Sequence, residues 1–407
     1  MSDHISTSAS FAKPVTQESQ KMKFDVALGA LATRYRMLPV LLALVLIWAY
    51  FAWANPLFLS PRNLSNLSLQ IVTTGIVALG LMFVLVIGEI DLSVAATGAV
   101  SAAITAGMAV NQGFDTVTAV AAGLIIGAAI GCVQGLVITY FRAPAFIVTL
   151  GTSLILQGIL LDLLPASSNL ISLVGQPLGK VATVYLPGFV SIALLCIVIL
   201  LSLVFRLQSY AAKKRNALPA SFLWSVIAPA VALAVVGAIV IAVFNSYRGV
   251  PLLVAFLLGL LGFFAYVTTQ TRFGVYLYAI GANAEAARRA GISVRFLRVT
   301  AFTLTGVFAA LGGMIAAGRV LGVSPDSADT TLLLEAIAAA VIGGVSLFGG
   351  RGSVWAALTG ALVIGSVSNG MLLVNASTQT RLEVQGAILT LAVILDAYLS
   401  RKANRGR

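Results

Sequence analysis

The sequence has 407 residues, of which 59% are hydrophobic and 9% charged, against the roughly 25% charged residues of a soluble globular domain. That composition excludes an ordinary soluble fold. The formal net charge of +12 would suit a nucleic-acid partner if the basic residues were clustered on a soluble face, so their placement along the chain decides what they mean.

Residues 1–36 are polar and Ser/Thr/Lys-containing, which predicts a disordered tail. Apolar runs then recur at 37–58, 67–88, 92–110, 117–139, 144–164, 186–205, 222–244, 250–269, 299–318, 333–348, 354–374 and 383–400. Runs of about twenty residues are long enough to cross a hydrocarbon core as helices. The expectation is an all-α polytopic integral membrane protein with 10–12 transmembrane or re-entrant helices, its membrane domain running from 37 to 400. The 333–348 segment is short and rich in small residues, so it reads as a crossing or as a re-entrant half-helix. A signal peptide ending at Ala52-Trp53-Ala54 is a rival reading of the first run, opposed by the long lead-in before it.

With the N-terminus in the cytoplasm, 20 Lys/Arg fall in inside segments and 5 in outside ones: Arg62, Lys180, Arg248, Arg319 and Arg381. This bias predicts two cytoplasmic termini, a basic inside loop at 206–221 and a basic tail at 401–407. The basic excess then needs no nucleic acid. Cys132 and Cys196 lie in apolar runs, giving neither a disulfide framework nor metal-ligand spacing. The only His is His4, so no catalytic triad, zinc site or His-based proton relay is expected. No phosphate-binding loop is found; Gly175 to Lys180 (GQPLGK) has the wrong spacing and continues into Val181. Uphill transport would therefore draw on an ion gradient or on a separate ATPase.

The inside connector 270–298 carries a short helix at its centre. Asn283 can cap it, Glu285 sits in its first turn, Arg288 and Arg289 complement its dipole, and Gly291 stops it. Such a helix is either a grip for a partner or a solvated connector. Its residues Phe273-Gly274, Tyr278 to Gly281, Asn283, Ala286 to Arg288 and Gly291-Ile292 resemble the ATPase-contacting loop of permease subunits in bacterial ABC importers for ribose, galactose and xylose. Val275 and Ala282 depart from that pattern. GEIDLSVA at 88–95, PAFIVTLGT at 144–152, LEAIAAAVIGGVSLFGGRGSV at 334–354 and Asn369-Gly370 resemble the same family in the same order. Ser60 to Leu67, Asn245 to Pro251 and the enlarged, basic central region look like the xylose-type members.

The resemblance implies a multi-pass protein of the bacterial inner membrane that translocates a monosaccharide, with xylose favoured. It implies a permease homodimer, two cytoplasmic ABC ATPase subunits that carry the ATP and Mg, and a periplasmic or extracellular sugar-binding protein. The permease chain itself would bind no cofactor or metal and catalyse no reaction. Gly281, Asn283, Glu285, Ala286, Ala287, Arg288, Gly291 and Ile292 would form the ATPase-coupling loop.

Other features can be read without the family. Glu89 and Asp91 interrupt the longest apolar stretch and would each cost roughly 2.5–3.5 kcal/mol at a bilayer centre, so they mark either an interface or a broken helix on a pathway. Glu335 invites the same question, although the related permeases place an acidic residue before Leu-Asp, whereas this chain has Leu333-Leu334-Glu335. Gln134, Gln157 and Asn369 are amides in apolar runs, able to bond a neighbouring helix or sugar hydroxyls. These six residues are the candidates for a translocation path or gate. Ile87 to Leu92 and Ile342 to Leu347 share the pattern IGx[IV]xL, suggesting an internal duplication in parallel orientation. Gly123, Gly127, Gly131 and Gly135 form a face for close helix approach. An ion-coupled carrier using Glu89, Asp91 or Asp396 is the alternative to an ATP-driven permease.

Overall fold

The computed structural model describes residues 38–216 and 221–405. The expected disordered tail and His4 lie outside the described residues. Each expected run is helical over most of its described length, the 333–348 run only as far as Ile342. In chain order come α1 (Leu38–Ala54), α2 (Pro61–Val86), α3 (Val94–Asn111), α4 (Thr116–Phe141), α5 (Ala145–Leu163) and α6 (Gly188–Arg215). They are followed by α7 (Leu223–Asn245), α8 (Leu252–Gln270), α9 (Arg272–Ala282), α10 (Ala284–Arg289), α11 (Val294–Val320), α12 (Thr330–Ile342), α13 (Val354–Leu373) and α14 (Thr378–Arg405). Among the described residues nine helices are long and apolar enough to cross a membrane. The chain is an all-α polytopic membrane protein.

Helix α2 is the axis of the bundle. It starts with Pro61 behind Ser60, whose hydroxyl accepts from the Asn63 N–H, and from Gly75 to Val86 it is apolar and buried on every face, as a helix enclosed by others must be. It lies against α7, α8, α11, α12 and α13. In lipid no hydrophobic force draws helices together, so small residues and close backbone approach do the work. Gly127, Gly131 and Gly135 of α4 sit on the Gly306, Phe302 and Val299 backbone of α11, while Gly123 meets α3 at Ser101 and Thr105. Gly98 of α3 packs on Gly313 in the same way. The glycine face expected on α4 is therefore a packing seam.

Helices α6 and α7 pack mainly on each other and turn Phe189, Ile192, Trp224 and Val235 outward, which marks them as lipid-facing. The expected basic loop at 206–221 is corrected here, because α6 stays helical through Arg215. Leu207, Ala211, Ala212 and the basic residues are good helix formers, and Lys213, Lys214 and Arg215 suit the negative end of the dipole. The expected 401–407 tail likewise begins as helix, since α14 runs to Arg405.

Two small antiparallel pairs define one end of the bundle, called the strand end. β1 (Ile171–Ser172) pairs with β4 (Gly322–Val323), and β2 (Tyr185–Leu186) with β3 (Val250–Pro251). The connector α9–α10 defines the opposite, connector end. Segment 330–353 joins the two. Its helix of 13 residues is only about 20 Å long, and Gly343 to Ser353 complete the passage as irregular chain. Val345 and Ser346 of this stretch are buried in protein, the setting in which a membrane protein tolerates non-helical backbone, while Phe348 is exposed.

Candidate functional site

At the connector end, Asn283 caps α10 by accepting from the Ala286 N–H at 2.9 Å. Glu285 pairs with Arg288 at 2.7 Å and with Arg289 at 3.2 Å. Gly291 takes φ +83°, and the Gly291 and Ile292 N–H groups close on the Arg288 and Ala287 carbonyls. Every α10 side chain but Ala287 is exposed, and Ala287 anchors the helix to the core. The result is a short, closed, charged helix displayed at the bundle end.

The sequence shows no sign of what lies beneath it. Gly281, the last turn of α9, rests directly on the Val86 carbonyl and the Gly350 N–H, and a Cβ there would collide with both. The Gly350 N–H donates to the Val86 carbonyl at 2.8 Å. The Tyr278 hydroxyl donates to the Gly352 carbonyl at 3.1 Å, and burial raises that phenol above its ordinary value, keeping the proton it donates. Phe273 closes the group against Phe83 on α2. Three chain segments thus meet at one point: the connector, the α2–α3 turn and the α12–α13 turn.

The two turns are built alike. α2 ends with the Gly88 and Glu89 N–H groups bonding the Leu85 and Val84 carbonyls; α12 ends with Gly344 and Val345 bonding Val341 and Ala340. Gly88 and Gly344 both have positive φ, so the equivalent glycine is Gly344, one position beyond the Gly343 that the sequence pattern aligns with Gly88. The Leu92 N–H is accepted by Thr149 of α5 at 3.1 Å and the Leu347 N–H by Asp396 of α14 at 3.1 Å.

The candidate residues separate into four places. Glu89, Asp91 and Gln134 belong to the α2–α3 turn. Glu89 pairs with Arg298 of α11 at 3.0 Å; Asp91 is buried and accepts from the Ser93 N–H and hydroxyl; Gln134 donates to the Ser93 oxygen at 2.7 Å, tying α4 to the turn. Asn369 accepts from Asn63 at 2.8 Å and joins α13 to α2, while Gln157 faces a separate hollow of about 300 Å³ near Asp326 and Asp329. Of the six, Glu335 alone lines a second, larger cavity.

That cavity, about 650 Å³, opens at the strand end between α2, α11, α12, α13 and α14. One oxygen of Glu335 accepts from Gln385 at 2.9 Å and from Ser368 at 3.0 Å; the other receives only a long bond from Thr74, 3.4 Å. Arg319 and Arg381 line the same space, and neither forms an ion pair among the described residues. Sequence reasoning missed Gln385, Ser368, Thr73 and the two arginines as cavity residues. The amide-in-an-apolar-run signal that singled out Gln134 points equally to Gln385.

The xylose transport system permease protein of Escherichia coli (strain K12) is 32% identical over 376 residues, covering 92% of this chain and 95% of that protein. The xylose transport system permease protein of Haemophilus influenzae is 36% identical over 372 residues, 89% of this chain and 96% of that protein. The ribose import permease protein of Escherichia coli (strain K12) is 32% identical over 371 residues, 88% and 92%. No solved structure matches the chain. The model of the permease component of branched-chain amino acid transport systems matches residues 63–393, and the chain belongs to that permease family.

Proposed function

We propose that this chain is the membrane-spanning permease subunit of an ATP-binding-cassette importer, carrying a pentose, xylose foremost, across the bacterial inner membrane. It works as a pair of identical chains with two cytoplasmic ATPase subunits, which bind ATP and Mg, and takes its sugar from an external binding protein. Both termini and the connector end face the cytoplasm, in keeping with the basic bias. The strand end and its cavity then face outward.

The observation that carries this reading is the exposed α10 helix seated, through Gly281, on the two turns that end α2 and α12. A partner that displaces α10 moves both turns at once, and the closed cap and stop keep the helix from absorbing the displacement. The carboxylates that an ion-coupled carrier would use are engaged: Glu89 by Arg298, Asp91 by Ser93 and Asp396 by the Ser346 hydroxyl and the Leu347 N–H. Whole-chain similarity to proteins named for xylose and ribose favours a sugar over the amino acids in the family's description.

The test is uptake in vesicles. Sugar uptake should require ATP, the ATPase and the binding protein, and should survive an uncoupler. Ala287→Asp, which places a carboxylate on the only buried face of α10, should abolish ATP-driven uptake while the protein remains folded in the membrane. Uptake that persists without ATP and stops with the uncoupler overturns the reading.

A further inference from the structure

The strand-end cavity carries more than a passage requires. Its volume falls within the range of about 300–1,000 Å³ typical of small-molecule sites. It holds polar groups that the protein leaves without partners. Among the described residues the Thr73 hydroxyl and the Arg381 Nε are buried and bond to nothing, and the carbonyl oxygen of Gln385 accepts no hydrogen bond. The second oxygen of Glu335 has only the long contact with Thr74. Buried polar groups are normally satisfied, so donors and acceptors left open around one cavity point to a ligand or to water that completes them.

We propose that this cavity is a discrete transit site for a neutral, unmodified monosaccharide. Glu335 and Gln385, two planar groups held edge to edge through Ser368, accept adjacent ring hydroxyls, while Thr73 and Arg381 bond those on the other side. The proposal rests on the sugar-permease reading. Charge selects the class of ligand. Glu335, Asp326 and Asp329 outnumber Arg319 and Arg381 around the lining by one, so an acidic sugar is disfavoured. Among the described lining residues there is no aromatic ring, and this sets the strength. Without a stacking platform the sugar is held by hydrogen bonds alone, in exchange for water. A site on a conduction path must bind firmly enough to admit its ligand and weakly enough to release it.

The test uses the purified full-length permease in lipid nanodiscs, without partners or ATP. With Cys132 and Cys196 replaced by alanine, Leu372→Cys puts one thiol on the cavity wall outside the hydrogen-bonding set. D-xylose on the order of 0.1 M should slow its reaction with a small methanethiosulfonate reagent about threefold, and glucuronate at the same concentration should not. In the same background Gln385→Ala should remove the protection, with Glu335→Gln as a second variant. Equal labelling with and without xylose means the cavity holds water only and overturns the proposal. Equal protection by glucuronate overturns the assignment to neutral sugars. In reconstituted vesicles Gln385→Ala should lower xylose uptake about tenfold while binding-protein-stimulated ATP hydrolysis continues. Wild-type vesicles that show no ATP-driven sugar uptake would instead sink the functional reading, whatever the labelling shows.

Discussion

The two ends of the bundle solve opposite problems. At the connector end, Gly281, Val86 and Gly350 meet backbone to backbone, and Glu89, Asp91 and Asp396 are each matched to a donor. At the strand end a 650 Å³ cavity keeps polar groups unmatched. A dense junction passes displacement on with little loss, because packed interiors do not deform continuously. An open, partly satisfied cavity can take and release a polar ligand. The comparison assigns force transmission to one end and ligand contact to the other, and substitutions at each should separate the two.

The largest effect is expected at Gly281. Gly281→Val forces side-chain atoms into the Val86 carbonyl and the Gly350 N–H, and overpacking of this kind costs about 1–3 kcal/mol even where neighbours yield. Here the neighbours are backbone. ATP-driven uptake in reconstituted vesicles should fall on the order of a hundredfold, equivalent to about 3 kcal/mol. Gly291→Ala is the control: a Cβ there meets open space, so its cost is only the strain of positive φ, about 1–2 kcal/mol. If Gly281→Val transports like Gly291→Ala, the junction is not the route from connector to turns.

Next comes the ion pair between Glu89 and Arg298, whose side chains are 20% and 25% exposed. Glu89→Ala leaves a mostly buried guanidinium without its carboxylate. Removing one partner of a fully buried pair costs about 3–5 kcal/mol, and the residual exposure brings the expectation here to about 1–3. Uptake should fall about tenfold, and the exchange Glu89→Arg with Arg298→Glu should recover part of it if the contact itself matters. A smaller loss is expected from Asn283→Ala, which removes the cap on α10 at a cost of about 1 kcal/mol; Asn283→Ser should retain most of the uptake.

How far the sequence led differs between the ends. The α10 helix was readable because cap, acidic first turn, basic last turn and stop are local signals within nine residues, Asn283 to Gly291. The crossings were readable from runs of apolar residues, and the glycine face of α4 from its four-residue spacing. The junction under α10 was not, since Gly281 looks like any helical glycine until Val86 and Gly350, far away in the chain, are placed beside it. The cavity was less legible still. Thr74, Glu335, Ser368 and Gln385 come from four helices, and Arg319 and Arg381 drew notice only as charges on one side of the membrane. Where apolar periodicity was the guide, as at Arg206 to Arg215, it set the end of the apolar run and missed that the helix continues beyond it to Arg215.

The smallest effect should come from a hydrogen-bonded strand-end group outside the cavity, Asp115. Asp115 caps α4, accepting from the Thr118 hydroxyl at 2.6 Å and from the Thr118 N–H at 3.0 Å, and these bonds hold its carboxyl below the ordinary carboxylate range. With the pKa lowered on folding, the unfolded chain binds the proton more readily. The stabilisation is therefore complete above the unfolded value and is lost as the pH falls through the folded one. Asp115→Ala should unfold at a slightly lower temperature than wild type at neutral pH, and the two should converge in acid once the pH lies below the folded value. Asp115→Asn keeps an acceptor for the cap and should remove the pH dependence. Thermal unfolding of the three proteins in nanodiscs decides it: a gap between wild type and Asp115→Ala that persists unchanged in acid would locate the effect in helix propensity and not in the carboxylate. Because Asp115 lies outside the cavity, uptake at neutral pH should be the same in all three.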